Sequence, residues 1–147
     1  MIYLDYNSTT PVDERVLQKM LPYFTEKFGN AASKTHAIGW IADEAVKTAR
    51  KQVAEFIGAL EQEIIFTSGA TEAINLAIKG IFEAYKSKGN HIIAVKTEHK
   101  AVLDTLENIE KKGAQITLLN VDKNGLIDLA ELEKLINDKT ILVCVML

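Results

Sequence analysis

The stretch FTSGATEAINLAIKG, residues 66–80, decides the fold. The apolar run EIIF that leads into it predicts a strand, the small residues TSGAT predict a loop, and the apolar spacing that follows predicts an amphipathic helix. The first turn of a helix has N–H groups without intrahelical partners and lies at the positive end of the helix dipole. The loop is therefore a candidate anion site, although small residues also serve a tight reversal of the chain. Neither of the glycine-rich nucleotide loops, G-x-x-x-x-G-K-[ST] or G-x-G-x-x-G, is present.

The rest of the chain alternates helical and strand patterns. Helical spacing predicts helices between Pro11 and Gly29 with an interruption at Pro22, over 38–56, over 71–88, over 102–109 and, capped by Asp128 with Glu131, over 128–136. Short apolar runs predict four strands, EIIFT, HIIAV, QITLLNV and TILVCVM. Apolar strands that alternate with helices predict an α/β fold with a mainly parallel sheet covered on both faces.

Two loops are expected to meet at one edge of this sheet, because ligands of parallel sheets bind beyond the carboxyl ends of the strands. TSGAT follows EIIFT, and KTEHK, residues 96–100, follows HIIAV. His99 is then a candidate to stack on a ring or to carry a proton near neutral pH. The alternative interpretation is a polar residue that opens a surface helix. Glu98 could orient His99 or solvate the loop.

Composition excludes several classes of function. The net charge of −3 without a basic stripe disfavours direct nucleic-acid binding. No apolar run approaches the ~20 residues needed to cross a bilayer, and the N-terminus lacks a signal-peptide pattern. The single cysteine, Cys144, excludes an internal disulfide framework, and His36, His91 and His99 do not have the spacing of a zinc site. We therefore expect a soluble, cytoplasmic protein that binds no metal.

Five segments resemble those of the cysteine desulfurases, pyridoxal 5'-phosphate enzymes of fold type I in the class-V aminotransferase family. They are YLDYNSTTPVD, FGNAASKTHAIGW, EIIFTSGATEAINLAIKG, KTEHKAVLDT and NGLIDLAELE, and Ala31 stands where the family usually has proline. The resemblance implies that residues 16–147 form an incomplete large cofactor-binding domain and that residues 1–15 lie near the active-site entrance. It also implies conversion of L-cysteine to L-alanine with an enzyme persulfide, in a homodimer that passes sulfur to scaffold or carrier proteins for iron–sulfur cluster assembly or tRNA thiolation.

The resemblance assigns roles to three residues. Ala70 and Thr71 match the residues that contact the cofactor at its phosphate. His99 matches the histidine that stacks on the pyridine ring and is a candidate proton carrier, so it counts both as a cofactor-binding and as a catalytic residue. The resemblance and the two-loop argument thus converge, and we expect Ala70, Thr71 and His99 to lie close together.

Other residues of the family's active site have no match in this chain. The lysine that holds the cofactor, the aspartate that pairs with its ring nitrogen and the persulfide-forming cysteine lie further along in the family, and Lys79, Lys100 and Cys144 match none of them. We therefore expect an N-terminal fragment that is inactive alone, in which EIIFT lacks its strand partners while the other three strands pair. The alternatives are a related fold type I enzyme, such as an aminotransferase or a selenocysteine lyase, and a non-catalytic partial chain that docks on a full-length subunit.

Overall fold

The computed structural model describes residues 2–146. These residues form two compact units that divide between Ile65 and Phe66, here called the N-terminal unit and the C-terminal unit. None of the helices in the described range is long and apolar enough to cross a membrane.

The N-terminal unit begins with two short helices, α1 (Glu14–Met20) and α2 (Pro22–Thr25). Asp13 caps α1 by accepting a hydrogen bond from the backbone N–H of Arg15 at 2.8 Å. Pro22 occupies the first turn of α2, where its missing N–H costs no helical hydrogen bond. The predicted interruption of the helix at Pro22 is confirmed.

The third helix, α3 (Ala37–Ile57), is the longest of those described. It starts after His36, whose Nδ1 accepts a hydrogen bond from the N–H of Gly39 at 3.1 Å. It ends at Gly58, whose φ of 70° lies in the left-handed region that glycine adopts without strain. The predicted helix over 38–56 is therefore confirmed to within one residue at each end.

The predicted strand EIIFT is wrong. A single 3-10 turn, Glu61–Glu63, precedes Ile64, which is extended with φ −91° and ψ 120° but belongs to none of the strands in the described range. A strand needs a hydrogen-bonded neighbour, and the carbonyl of Ile64 accepts instead from the guanidinium of Arg50 on α3. Ile64 thus has strand-like backbone but no strand partner within residues 2–146, as the family resemblance leads us to expect.

The C-terminal unit has an α/β arrangement. Its elements in chain order are α4 (Ala70–Tyr85), β1 (His91–Val95), α5 (Lys100–Glu110), β2 (Gln115–Leu119), α6 (Leu129–Leu135) and β3 (Thr140–Cys144). The three strands form a parallel sheet in the order β2-β1-β3, with Ile92 opposite Ile116 on β2 and Leu142 on β3. The parallel sheet and the pairing of these three strands are confirmed, and Asp128 caps α6 as expected.

The core of this unit lies around the central strand. All five residues of β1 are buried, and because successive side chains point to opposite faces, both faces of the sheet are covered there. Helix α5 contributes Val102, Leu106 and Ile109, which lie on one side of a helix at this spacing. Helix α4 contributes Ile78 and Phe82 to the same cluster.

A tight turn joins α4 to β1. The helix ends at Tyr85, three residues before the predicted end at Lys88, and the N–H groups of Lys88 and Gly89 both donate to the Tyr85 carbonyl, at 2.7 and 3.0 Å. A Cβ atom on Gly89 would lie 2.3 Å from the carbonyl oxygen of Lys139, so only glycine fits there. This close approach brings the end of α4 to the amino edge of the sheet.

A buried histidine connects the three strands at that amino edge. His91, 6 % exposed, bonds Thr117 on β2 through Nε2 at 2.9 Å and Thr140 on β3 through Nδ1 at 2.8 Å. The amide of Asn137 also donates to Nδ1, at 3.2 Å, so Nδ1 accepts and the ring proton lies on Nε2. His91 therefore has a structural role at the amino edge of the sheet, whereas the loop that carries His99 follows the carboxyl end of β1.

Candidate cofactor site

Helices α4 and α5 begin at the same edge of the sheet. The chain passes from the end of α4 into β1 at the amino edge of the sheet, and from β1 into α5 at the carboxyl edge. Both helices therefore run antiparallel to β1 and parallel to each other. Their packing confirms this, because one cleft of about 280 Å³ is lined by matching positions of both helices: Thr71, Asn75 and Lys79 from α4, and Ala101, Asp104, Thr105 and Asn108 from α5. The positive ends of two helix dipoles therefore lie side by side at the carboxyl edge.

The TSGAT loop has fewer available donors than its composition suggests. The hydroxyl of Thr67 donates to the carbonyl of Gly69 at 3.1 Å. The backbone N–H and the hydroxyl of Ser68 both donate to the Glu72 carboxylate at 2.6 Å. The first-turn N–H groups of Ala70 and Thr71 have no intrahelical acceptor, and they remain for a ligand together with the Thr71 hydroxyl.

Glu72 accepts both hydrogen bonds that Ser68 could otherwise donate to an anion. Hydrogen bonds from the hydroxyl and then the N–H of Ser68 lower the pKa of Glu72, which keeps its carboxylate ionised. The hydroxyl protons of Thr67 and Ser68 are therefore used within the chain and are not available to an anion. Glu72 lies four residues after Ser68, one residue further than in a capping box, so the capping-box motif does not predict this contact.

His99 caps α5. Its Nδ1 accepts a hydrogen bond from the N–H of Ala101 at 3.1 Å, while the side chain stays exposed. Because Nδ1 is an acceptor in this contact, the proton of the neutral ring lies on Nε2. The interpretation of His99 as the residue that opens a helix is confirmed, and the cap leaves the Nε2 side of the ring available for chemistry. Ala101, its capping partner, lines the same cleft as Thr71.

Glu98 makes a long-range contact that the sequence did not indicate. The residue is only 9 % exposed, and its Oε1 accepts a hydrogen bond from the backbone N–H of Met146, just beyond β3, at 2.6 Å. It therefore neither solvates the loop nor bonds the His99 ring. The two partners are 48 residues apart, and no local pattern signals their contact.

The thiol and the lysines near this edge have ordinary roles. Burial, and secondarily the charge of Glu98, raises the pKa of Cys144, whose half-buried side chain packs against the core. A thiol held in its protonated form is a poor nucleophile. Lys100 is exposed and is paired at 2.9 Å with Asp104, which lines the cleft, as expected for a surface lysine. Lys79 lines the cleft beside Thr71.

A larger cleft lies elsewhere in the described part of the chain. A cleft of about 890 Å³ is formed within the N-terminal unit by side chains of α1 to α3, among them Tyr23, Trp40 and Ile41. It contains none of the three residues assigned to the cofactor, Ala70, Thr71 and His99. Within residues 2–146, no three His, Cys, Asp or Glu side chains lie close enough together to hold a metal ion.

The fold and the site define a class of protein. A parallel sheet with two helix N-termini at its carboxyl edge is the arrangement in which α/β enzymes bind phosphorylated ligands. The model of the aminotransferase class-V family matches residues 2–147. The chain belongs to this family, whose members, cysteine desulfurases among them, are enzymes dependent on pyridoxal 5'-phosphate.

Individual relatives agree with this assignment. The chain is 59 % identical over 145 residues to cysteine desulfurase IscS of Neisseria gonorrhoeae, covering 99 % of this chain and 36 % of the relative. It is 56 % identical over 147 residues to a mitosomal cysteine desulfurase of Trachipleistophora hominis, with 99 % and 33 % coverage. The chain thus spans about a third of the length of these relatives.

Solved structures give the same result. A NifS-like protein superposes with a TM-score of 0.91 at 41 % identity, covering 99 % of this chain and 40 % of that protein. A structure of SspA in complex with cysteine superposes with a TM-score of 0.87 at 37 % identity, with 97 % and 41 % coverage. The expected fold type I architecture and the resemblance to cysteine desulfurases are confirmed.

Proposed function

We propose that these residues are part of a cysteine desulfurase that converts L-cysteine to L-alanine. The carbon–sulfur bond of the substrate breaks, the sulfur passes to an enzyme thiolate as a persulfide, and a proton takes its place on carbon. The observation that carries the proposal is the parallel packing of α4 and α5, which brings Thr71 and the capped first turn after His99 to one cleft. The similarity to named cysteine desulfurases over 99 % of the chain supports it.

The residues present fit a phosphorylated cofactor. Ala70 and Thr71 offer backbone N–H groups and a hydroxyl at the positive end of α4, where a phosphate is stabilised. The nearby carboxylate of Glu72 is held by Ser68. Pyridoxal phosphate, when bound, supplies an electron sink for the carbanion of the substrate. We assign Ala70 and Thr71 to its phosphate.

His99 is assigned to the ring of the cofactor and to proton transfer. Its exposed imidazole can stack on an aromatic ring, and its Nδ1 is occupied by the N–H of Ala101. A proton carried by this ring is therefore exchanged at Nε2. If Nδ1 were protonated it would face another donor, so the cap fixes which nitrogen acts.

The remaining assignments concern the complete protein. We propose a cytoplasmic homodimer that passes sulfur to scaffold or carrier proteins, for iron–sulfur cluster assembly first and tRNA thiolation second. The name IscS of its relatives supports the first of these routes. We further propose that residues 1–15 lie near the active-site entrance and that residues 16–147 belong to the large cofactor-binding domain.

The decisive experiment compares two substitutions at His99 in the complete enzyme that carries these residues. Removal of a proton carrier costs roughly 100- to 10,000-fold in rate. We expect His99→Ala and His99→Asn both to lower alanine formation from L-cysteine by such a factor. Asparagine is a good helix cap, so His99→Asn keeps α5 capped and isolates the loss of the imidazole. The exposed Lys111→Ala, at the other end of α5, serves as the control that leaves turnover unchanged.

Three results would contradict the assignment. One is loss of bound cofactor without loss of turnover per bound cofactor in His99→Asn. A second is transfer of the substrate amino group to a keto acid without release of sulfur, which would indicate an aminotransferase. The third is cofactor retention in Thr71→Val equal to that of the unchanged protein, since valine removes the hydroxyl assigned to the phosphate.

The 147-residue chain alone is expected to form no alanine, because no residue in the described range matches the cofactor lysine or the persulfide cysteine. Incubation with pyridoxal phosphate and L-cysteine, followed by alanine and sulfide assays and borohydride trapping, tests this expectation. Specific trapping of the cofactor on Lys79, the lysine that lines the cleft, would overturn it.

A further inference from the structure

The loop that precedes His99 is tied to both neighbours of the central strand. The N–H of Lys96 donates to the carbonyl of Leu119, the last residue of β2, at 3.0 Å. On the other side, Oε1 of Glu98 accepts from the N–H of Met146, which follows β3, at 2.6 Å. The N–H of Glu98 also donates to the carbonyl of Val95, at 3.1 Å, which closes the turn after β1. Glu98, which makes two of these hydrogen bonds, directly precedes His99.

The hydrogen bond between the Glu98 carboxylate and the Met146 N–H belongs to a strong class. A carboxylate that accepts from a backbone N–H makes a charge-assisted hydrogen bond, shorter and stronger than one between neutral groups. The residue is 9 % exposed, so water competes poorly for the bond. An ionisable side chain this deep in a surface loop is unusual, and here it links the loop to a segment 48 residues away.

We propose that Glu98 is a positioning residue that holds His99 in place through its bond to the Met146 N–H. On one side of the imidazole, α5 is fixed by the burial of Val102, Leu106 and Ile109 and is capped by the ring itself. On the other side, the backbone that enters His99 is fixed by Glu98. The ring is thereby held between two anchors. The expected effect of Glu98 on catalysis rests on the proposed function, whereas its expected effect on the position of the loop and of the His99 ring does not.

The test uses three substitutions in the complete enzyme. Glu98→Gln keeps an acceptor oxygen at the same reach, Glu98→Asp keeps the charge but is one methylene too short, and Glu98→Ala removes the contact. Glu107→Gln is the matched control, because Glu107 is an exposed carboxylate on α5 that pairs with Lys111 at the surface. The measurements are amide hydrogen exchange at Met146 and Ala101, the NMR signal of the His99 ring, and kcat and KM for L-cysteine.

We expect Glu98→Asp and Glu98→Ala to speed exchange at Met146 and Ala101 by tenfold or so and to broaden or shift the His99 ring signal. Misplacement of a catalytic group by about 1 Å can cost on the order of 100-fold in rate, so kcat should fall by up to that factor while KM changes little. Glu98→Gln should restore most of the kcat and the ring signal. Glu107→Gln should behave as the unchanged enzyme.

A His99 ring signal and a kcat unchanged in both Glu98→Asp and Glu98→Ala would overturn the proposal, even if exchange at Met146 increased. If Glu98→Ala does not fold, the conservative Glu98→Asp and Glu98→Gln pair gives the same comparison. Failure of the proposed function is a separate result. In that case His99→Asn would keep full turnover, while the exchange rates and the ring signal of the Glu98 variants would still report whether Glu98 holds the loop.

Discussion

The N-terminal and C-terminal units differ in what their amphipathic helices face. In the C-terminal unit, α4 and α5 pack on a sheet and bury large side chains such as Ile92 and Leu106. In the N-terminal unit, α1 and α2 have no buried residue, and α3 buries only Gly39, Ala42 and Ala54. Phe56 on α3 is 91 % exposed. Both units therefore contain amphipathic helices, but a core requires a facing element, and among residues 2–146 only the C-terminal unit supplies a sheet.

Amide hydrogen exchange should show the largest difference between the two units. Core strands exchange only by global unfolding, whereas helices with few buried contacts open locally. We expect the amides of Ile92 and Ile93 to exchange on the order of 1,000-fold or more slowly than those of Leu17 and Met20. Equal protection in α1 and β1 would show that the N-terminal unit has a cooperative core of its own.

The second test removes one apolar side chain from each unit. Leu106→Ala should lower the free energy of unfolding by roughly 2–5 kcal/mol, because Leu106 is 2 % exposed and a cavity is left. Phe56→Ala deletes a larger side chain but should change it by only ~0.5 kcal/mol or less. Urea denaturation measures both. A cost for Phe56→Ala as large as for Leu106→Ala would mean that the exposed face of α3 is covered in solution.

A pair of helical glycines tests local packing in each unit. A Cβ atom on Gly39 in α3 would lie 2.2 Å from the carbonyl oxygen of Ser33, whereas one on Gly80 in α4 would meet nothing within 4 Å. Gly39→Ala should therefore destabilise the protein by about 1–3 kcal/mol. Gly80→Ala should stabilise it by roughly 0.5–1 kcal/mol, because alanine is the better helix former. Thermal unfolding of the two variants should move in opposite directions, and a shared direction would refute the packing argument.

The smallest expected effect is a difference in salt dependence between two carboxylates whose pKa values are both lowered. Hydrogen bonds from Lys34 and then Lys47 lower the pKa of Asp43 in the N-terminal unit, and those from Ser68 lower the pKa of Glu72 in the C-terminal unit. A pKa depressed on folding means that the contribution to stability is present above the unfolded value and is lost as the pH falls through the folded one. Because salt screens exposed charges, added salt should raise the pKa of Asp43 toward its ordinary value and leave that of Glu72 nearly unchanged.

Carboxyl NMR titration at low and high salt measures this difference. Ser68→Ala is the control that should raise the pKa of Glu72 alone. Equal salt sensitivity of Asp43 and Glu72 would indicate that the Ser68 contact is not what holds Glu72 ionised.

The sequence by itself determined the features that depend on near neighbours. Pro22 interrupts the first helix, Gly58 ends α3 and Asp128 caps α6, because each effect acts within a few residues of the chain. His99 opens α5 for the same reason. The apolar runs of β1, β2 and β3 and the family motifs were also sufficient to predict a parallel sheet and the class of enzyme.

Only the tertiary structure decided the features that depend on distant partners. EIIFT has the pattern of a strand, yet it forms none because a strand exists only where another strand accepts its hydrogen bonds. The carboxylate of Glu98 meets the N–H of Met146, and the ring of His91 meets Thr117 and Thr140, because the sheet order β2-β1-β3 places those residues beside both ends of β1. Periodicity specifies which face of an element is buried, but the register of the assembled sheet determines which polar groups meet across it.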